Sequence, residues 1–114
     1  MNTSSLAQEI TILHAELCSA LADPTRLLLL YTLAEQPHTV SILAQKLELP
    51  QPTISRHLKI LREGGLVRAT RHGATVVYEL TDRRVIDALD LLRAVLHDRI
   101  QHRANLIDET PPPA

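Results

Sequence analysis

The sequence predicts a mainly α-helical domain carrying one small β-hairpin. Two observations lead there. Apolar residues recur at helical spacing over most of residues 4–106, and between Leu66 and Leu80 the pattern becomes alternation about a glycine. The core must be aliphatic, because 114 residues include two tyrosines but no phenylalanine or tryptophan.

The first helix is expected at Ser4–Leu21, where Leu6, Ile10, Leu13, Leu17 and Ala20/Leu21 form a narrow stripe. Asp23-Pro24 reads as an N-cap followed by proline in the first helical position. The second helix then runs to about Glu35 with Leu27, Leu30, Tyr31 and Ala34 inward. Leu28, Leu29 and Leu33 make it apolar nearly all round, as a central buried helix would be, and Pro37 stops it. A short helix follows at Ser41–Leu47, with Ile42, Leu43, Ala44 and Leu47 as its apolar residues.

After a tight turn, the next helix starts at Gln51-Pro52. Ile54, Leu58 and Leu61 fall on one side, while Ser55, Arg56 and Lys59 project the other way. Gly64-Gly65 ends it by supplying left-handed backbone. Leu66–Arg71 and Thr75–Leu80 read as strands, with Val76, Tyr78 and Leu80 alternating against Val77 and Glu79, and His72-Gly73-Ala74 as the hairpin tip. Thr81-Asp82 is expected to cap a last helix from Arg83 to Leu106.

The apolar residues of that helix, from Val85 to Ile100, cover more than half its circumference. Packing on one domain needs only a stripe, so the surplus, joined by the stripe of the first helix, reads as a homodimer interface. The other reading is that both helices close the core of a monomer. Residues 1–109 are expected to form one domain, with Thr110–Ala114 a disordered proline-rich tail.

Net charge is −1, but its distribution is uneven. Residues 51–75 hold Arg56, Lys59, Arg62, Arg68 and Arg71 against Glu63, a surplus of four positive charges that leaves −5 elsewhere. A helix with an apolar back and a small-polar and basic front suits the DNA major groove. Beside it, Arg68, Arg71 and His72 gather on and near the hairpin, as a phosphate-touching wing requires. The whole reads as a winged helix-turn-helix, a helical dimer that binds double-stranded DNA. A winged-helix protein-interaction module is the competing class, and the basic face argues against it, because such a surface would show exposed apolar anchors.

No enzyme is expected. There is no glycine-rich phosphate loop, nucleophile elbow or metalloprotease motif. Two aromatics do not support stacking on single strands. One cysteine excludes an intrachain disulfide and fits a reducing cytoplasm. The start, MNTSSLAQEI, lacks the features of a signal peptide, and the apolar run Leu27–Tyr31 is too short to span a membrane.

Three stretches resemble the ArsR/SmtB family of winged-helix repressors: LADPTRLLLLYTL (Leu21–Leu33), LPQPTISRHLKILREGGLV (Leu49–Val67) and RHGATVVYEL (Arg71–Leu80). The resemblance covers about residues 15–100 and is most specific from Thr53 to Val67. It implies a two-fold symmetric dimer with a wing on each subunit, bound to an operator with inverted half-sites. It places DNA reading at Gln51, Thr53, Ser55 and Arg56, with Pro52 where relatives often have serine. Arg56 would pair with guanine, and Lys59, Arg62 and Arg71, with His72 beside them, would meet phosphates. His57 is either a half-buried structural residue or a DNA contact.

Many relatives release DNA when a metal, metalloid or oxidant reaches cysteine or histidine ligands. The inherited sites are absent here. There is no Cys-x-Cys near the helix-turn-helix, Tyr31 stands where a persulfide-sensing branch has cysteine, and Asp90 is followed two residues later by Leu92 rather than histidine. Two private pairs remain, His14 with Cys18 and Asp98 with His102, each four apart. If the first and last helices meet at the dimer interface, these pairs could converge on a divalent ion such as zinc. Otherwise Cys18 is a small buried hydrophobe and the histidines are solvated. No cofactor is required for DNA binding, and a constitutive regulator with no inducer site remains open.

Overall fold

A computed structural model describes the backbone of residues 3–109 and the side chains of residues 4–106. The tail assigned to Thr110–Ala114 lies outside the described residues. The chain divides into two units at Arg83/Arg84.

In the first unit, α1 (Thr3–Leu13) runs into a π-helical turn (His14–Cys18) and then the short α2 (Ser19–Leu21). The backbone stays right-handed across both junctions, so Ser4–Leu21 is helical as expected. The π turn was not expected. It inserts a residue into the helical repeat, which rotates everything beyond it about the axis. Leu6, Ile10 and Leu13, before the turn, are exposed, while Leu17 within it is half-buried and Ala20 after it is buried.

Asp23 then caps α3 (Pro24–Glu35), its Oδ1 accepting from the backbone N–H groups of Thr25 at 2.8 Å and Arg26 at 3.2 Å. The inward face of α3 differs from expectation. Leu29, Leu30 and Leu33 are buried, Leu27, Tyr31 and Ala34 are half-buried, and Leu28 is 58% exposed. Hence α3 is not buried all round. A nearly all-apolar helix offers no contrast from which its face can be read, and packing alone chooses it.

Strand β1 (His38–Thr39) is two residues long, too short for any alternation, and was not foreseen. It pairs antiparallel with β3 (Thr75–Leu80), and β3 pairs with β2 (Val67–His72), giving a three-stranded sheet in the order β1-β3-β2. Thr39 also caps α4 (Val40–Leu47), its hydroxyl accepting from the Ile42 N–H. Glu48 ends α4 in left-handed backbone, φ 55°. Pro50 opens α5 (Gln51–Glu63), its carbonyl accepting from the N–H groups of Thr53 and Ile54.

The core lies between α3, α4, α5 and the sheet, where Leu29, Leu30, Leu43, Ile54, Leu58, Leu61 and Val67 are fully buried. The two glycines after α5 have different reasons. Gly65 is left-handed at φ 75°, whereas Gly64 is right-handed at φ −78°. Gly64 is instead required by close approach to the first helical run, since an added Cβ would lie 2.9 Å from the Glu16 carbonyl oxygen.

The hairpin tip is the two-residue turn Gly73-Ala74, closed by the pair His72–Thr75. Positive φ at Gly73 alone matches a type II′ turn. The expected alternation on β3 is absent, for Val76 to Leu80 are all half-buried. The Thr81 hydroxyl donates to the Gly65 carbonyl at 2.7 Å and closes the base of the hairpin.

The second unit is α6 (Arg84–Glu109), a single helix of 26 residues. Ile86 and Leu89 are buried, while Leu91, Leu92, Val95, Leu96, Ile100 and Leu106 are all at least half exposed or nearly so. Among the described residues, no helix is long and apolar enough to cross a membrane.

Candidate nucleic-acid interface

Helix α5 divides as its sequence spacing requires. Ile54, Leu58 and Leu61 are buried, and Gln51, Pro52, Ser55, Arg56, Lys59 and Arg62 are exposed, with Thr53 half-buried. Residues three and four apart share a helix face, so Pro52, Ser55, Arg56, Lys59 and Arg62 present one continuous outer surface. Leu43 and Ala44 of α4 are buried, and α4 packs against α5. At its exposed edge Gln51 Nε2 reaches the Ser41 hydroxyl at 3.5 Å, at the limit of hydrogen bonding.

On the wing, Arg71 and His72 are exposed at the end of β2. Arg68 is not a free cation there, because its Nε donates to Glu79 Oε1 across the β2–β3 ladder at 2.6 Å. The positive surface is therefore Arg56, Lys59 and Arg62 on the helix and Arg71 on the wing, none held in an ion pair among the described residues. Cations left unpaired in water keep their counterions exchangeable, which is the condition for gripping phosphates.

His57 resolves as the structural alternative, since it is only 8% exposed. Its Nδ1 lies 3.3 Å from Arg26 Nη1 and 3.9 Å from Asp23 Oδ1. A guanidinium can only donate, so Nδ1 accepts and the ring proton sits on Nε2. Arg26 also donates from Nε to the Ala20 carbonyl at 2.6 Å and from Nη2 to the Ser19 carbonyl at 3.2 Å. The Asp23 carboxyl is held below the ordinary aspartate value, chiefly by the Arg26 backbone N–H; partial burial opposes this, while the Thr25 N–H and the Arg26 charge add to it. Arg26 was missed at the level of sequence. Nothing in its spacing points to a histidine 31 residues further on.

His14 and Cys18 bound the π turn, and both are exposed. Cys18 is a free, exposed thiol rather than a small buried hydrophobe. Asp98 and His102 are exposed on α6. Each pair brings two donors, whereas a structural zinc takes four and a catalytic zinc three from protein. Among the described residues, no three histidine, cysteine, aspartate or glutamate side chains gather where an ion could be held. Among the described residues, each pair taken alone therefore falls short of a full ligand set.

Residues 23–69 match the profile of the family described as bacterial regulatory protein, arsR family. An uncharacterised HTH-type transcriptional regulator of Methanocaldococcus jannaschii is 42% identical over 79 residues, which cover 68% of this chain and 89% of that protein. The HTH-type transcriptional repressor SmtB of Mycobacterium tuberculosis is 40% identical over 90 residues, covering 79% of this chain and 65% of the repressor. In three dimensions the chain is similar to a homodimeric winged helix-turn-helix DNA-binding domain of Mycobacterium bovis, described as a possible ArsR-family regulator. The TM-score is 0.72 at 27% identity, over 90% of this chain and 93% of that one.

Proposed function

Because the chain belongs to the arsR family of bacterial regulatory proteins, DNA-binding transcription regulators of winged helix-turn-helix fold, we propose that it is a cytoplasmic repressor whose homodimer binds an operator with inverted half-sites. The observation that carries this is the outer face of α5, where Ser55 and Arg56 stand beside Lys59 and Arg62 with no intramolecular ion pair among the described residues. Arg56 reads bases, with Gln51, Thr53 and Ser55 around it. Lys59, Arg62, Arg71 and His72 meet the backbone, which positions the protein without carrying sequence information. Two α5 helices about one DNA turn apart match two half-sites. The exposed leucines and isoleucines of α1, and separately those of α6, support the dimer.

The test is duplex binding across a salt series. Several phosphates neutralised per subunit give a steep fall in affinity, with a log–log slope of about −0.9 per phosphate. Arg56→Ala relaxes base preference, and Arg71→Ala weakens all sequences alike. Binding that is flat in salt would remove the electrostatic part of the reading and favour a protein-interaction module.

The releasing signal, if the regulator has one, is assigned to the segment around Cys18, which is exposed and soft, with His14 one turn before it. Parent chain and Cys18→Ser are compared for DNA release by zinc, cadmium, arsenite and peroxide, with Asp98→Ala and His102→Ala tested for zinc alone. Identical responses to every agent would make this a constitutive binder or one governed elsewhere.

A further inference from the structure

We propose that Arg26 and His57 are positioning residues for DNA recognition: the hydrogen bond between them sets the tilt of α5 against the end of the first helical run. This rests on the reading of α5 as the DNA-reading helix.

The Arg26 side chain bridges two elements that are remote in sequence. Nε and Nη2 bind the carbonyls of Ala20 and Ser19, at the end of α2, and Nη1 binds His57 Nδ1 at the middle of α5. Carbonyls in the last turn of a helix lack a full set of partners within it; the Ser19 carbonyl accepts also from the Ala22 N–H at 3.4 Å, and the arginine adds a charged donor to each. A guanidinium is planar and its donors point in set directions, so bonds to two elements orient each relative to the other. The Asp23 carboxylate, which accepts from the Arg26 backbone, holds the start of α3 in the same cluster.

A second contact joins the same two elements. Gly64, just past the end of α5, lies against the Glu16 carbonyl in the π turn. His57 and Gly64 are seven residues apart, about 10 Å along a helix. One contact would leave α5 free to pivot; two, to the same helical run, define its line. The apolar contacts of Ile54, Leu58 and Leu61 seat α5 on the core and narrow its crossing angle, and the two directional contacts hold it within that range. His57 is adjacent in sequence to Arg56, so a change in angle at His57 is delivered directly to the base-reading side chain. Base contacts need near-ideal geometry, whereas phosphate contacts by long cations tolerate a shift. Loss of the bond therefore lowers discrimination between sequences more than affinity for DNA as such.

The experiment selects from a random duplex pool the sequence bound most tightly by the full chain. Affinity for that duplex and for a scrambled one is then measured alongside thermal melting. Arg26→Gln and His57→Leu should each lower preference for the selected duplex by about ten-fold, the loss of one good base contact, and leave scrambled-duplex affinity nearly unchanged. The double variant should lose no more than Arg26→Gln alone, since the bond that His57→Leu removes is already broken there. His57→Asn places an acceptor oxygen near the position of Nδ1 and should keep the preference. Lower melting with unchanged preference, losses that multiply in the double variant, or Asn behaving as Leu each overturn the proposal. If Arg26→Gln does not fold, the His57→Asn and His57→Leu pair decides alone. A parent chain that selects no duplex overturns the DNA-binding reading itself, and this inference with it.

Discussion

Gly64 and Glu16 meet at backbone level: a Cβ on Gly64 would stand 2.9 Å from the Glu16 carbonyl oxygen and 3.3 Å from the Ala20 Cβ. Gly65 beside it has open space but a φ of 75°. Alanine at either position is therefore unfavourable for a different reason. Gly64→Ala should cost about 1–3 kcal/mol by forcing the two backbones apart. Gly65→Ala should cost about 1 kcal/mol through left-handed backbone. Asparagine separates the two in urea unfolding, because it tolerates left-handed backbone and should be milder than alanine at Gly65 but harsher at Gly64. A neutral Gly64→Ala would show that the approach of these backbones is looser than described.

Glu48 is the one non-glycine residue with positive φ among the described residues, and it is exposed at the C-terminus of α4. Its side chain pays a steric penalty that glycine avoids. Glu48→Gly should raise stability by about 1 kcal/mol without touching the outer face of α5. Chemical denaturation reads the gain, and unaltered duplex affinity confirms that the turn is separate from the interface.

Asp23 links stability to acid. Its folded-state carboxyl lies below the ordinary value of 3.8, so the ionised form favours the folded chain. That contribution is fully present above about pH 3.8 and is lost as pH falls through the depressed folded value. Asp23→Asn keeps a capping oxygen but does not titrate. The stability difference between parent and variant should be constant at neutral pH and shrink below the ordinary carboxylate range. A difference that grows on acidification would reverse the sign assigned here.

Leu92 and Leu96 of α6 are 63% and 53% exposed in the single chain. If they are covered in a homodimer, Leu92→Glu or Leu96→Glu would place an unpaired carboxylate in an apolar contact, costing several kcal/mol. Sedimentation at micromolar concentration should show a dimer for the parent and a monomer for each variant. A parent that sediments as a monomer would end the dimer proposal.

The chain by itself determined its local elements wherever contrast was strong. Helix α5 begins at Gln51 and ends at Glu63 because apolar and polar residues separate cleanly round it and proline and glycine bound it. The hairpin was legible for a similar reason, since Gly73 permits the turn and strand-forming residues flank it. The exposed basic face of α5 was legible too, because Arg56, Lys59 and Arg62 sit at helical spacing opposite Ile54, Leu58 and Leu61. Tertiary structure alone decided the inward face of α3, the pairing of His38 with Tyr78, the burial of His57 and its bond to Arg26, and the need for glycine at position 64. Periodicity reports how a residue differs from its neighbours within one element. These features depend instead on where two separate backbones come to lie, and that is set only when the aliphatic core closes.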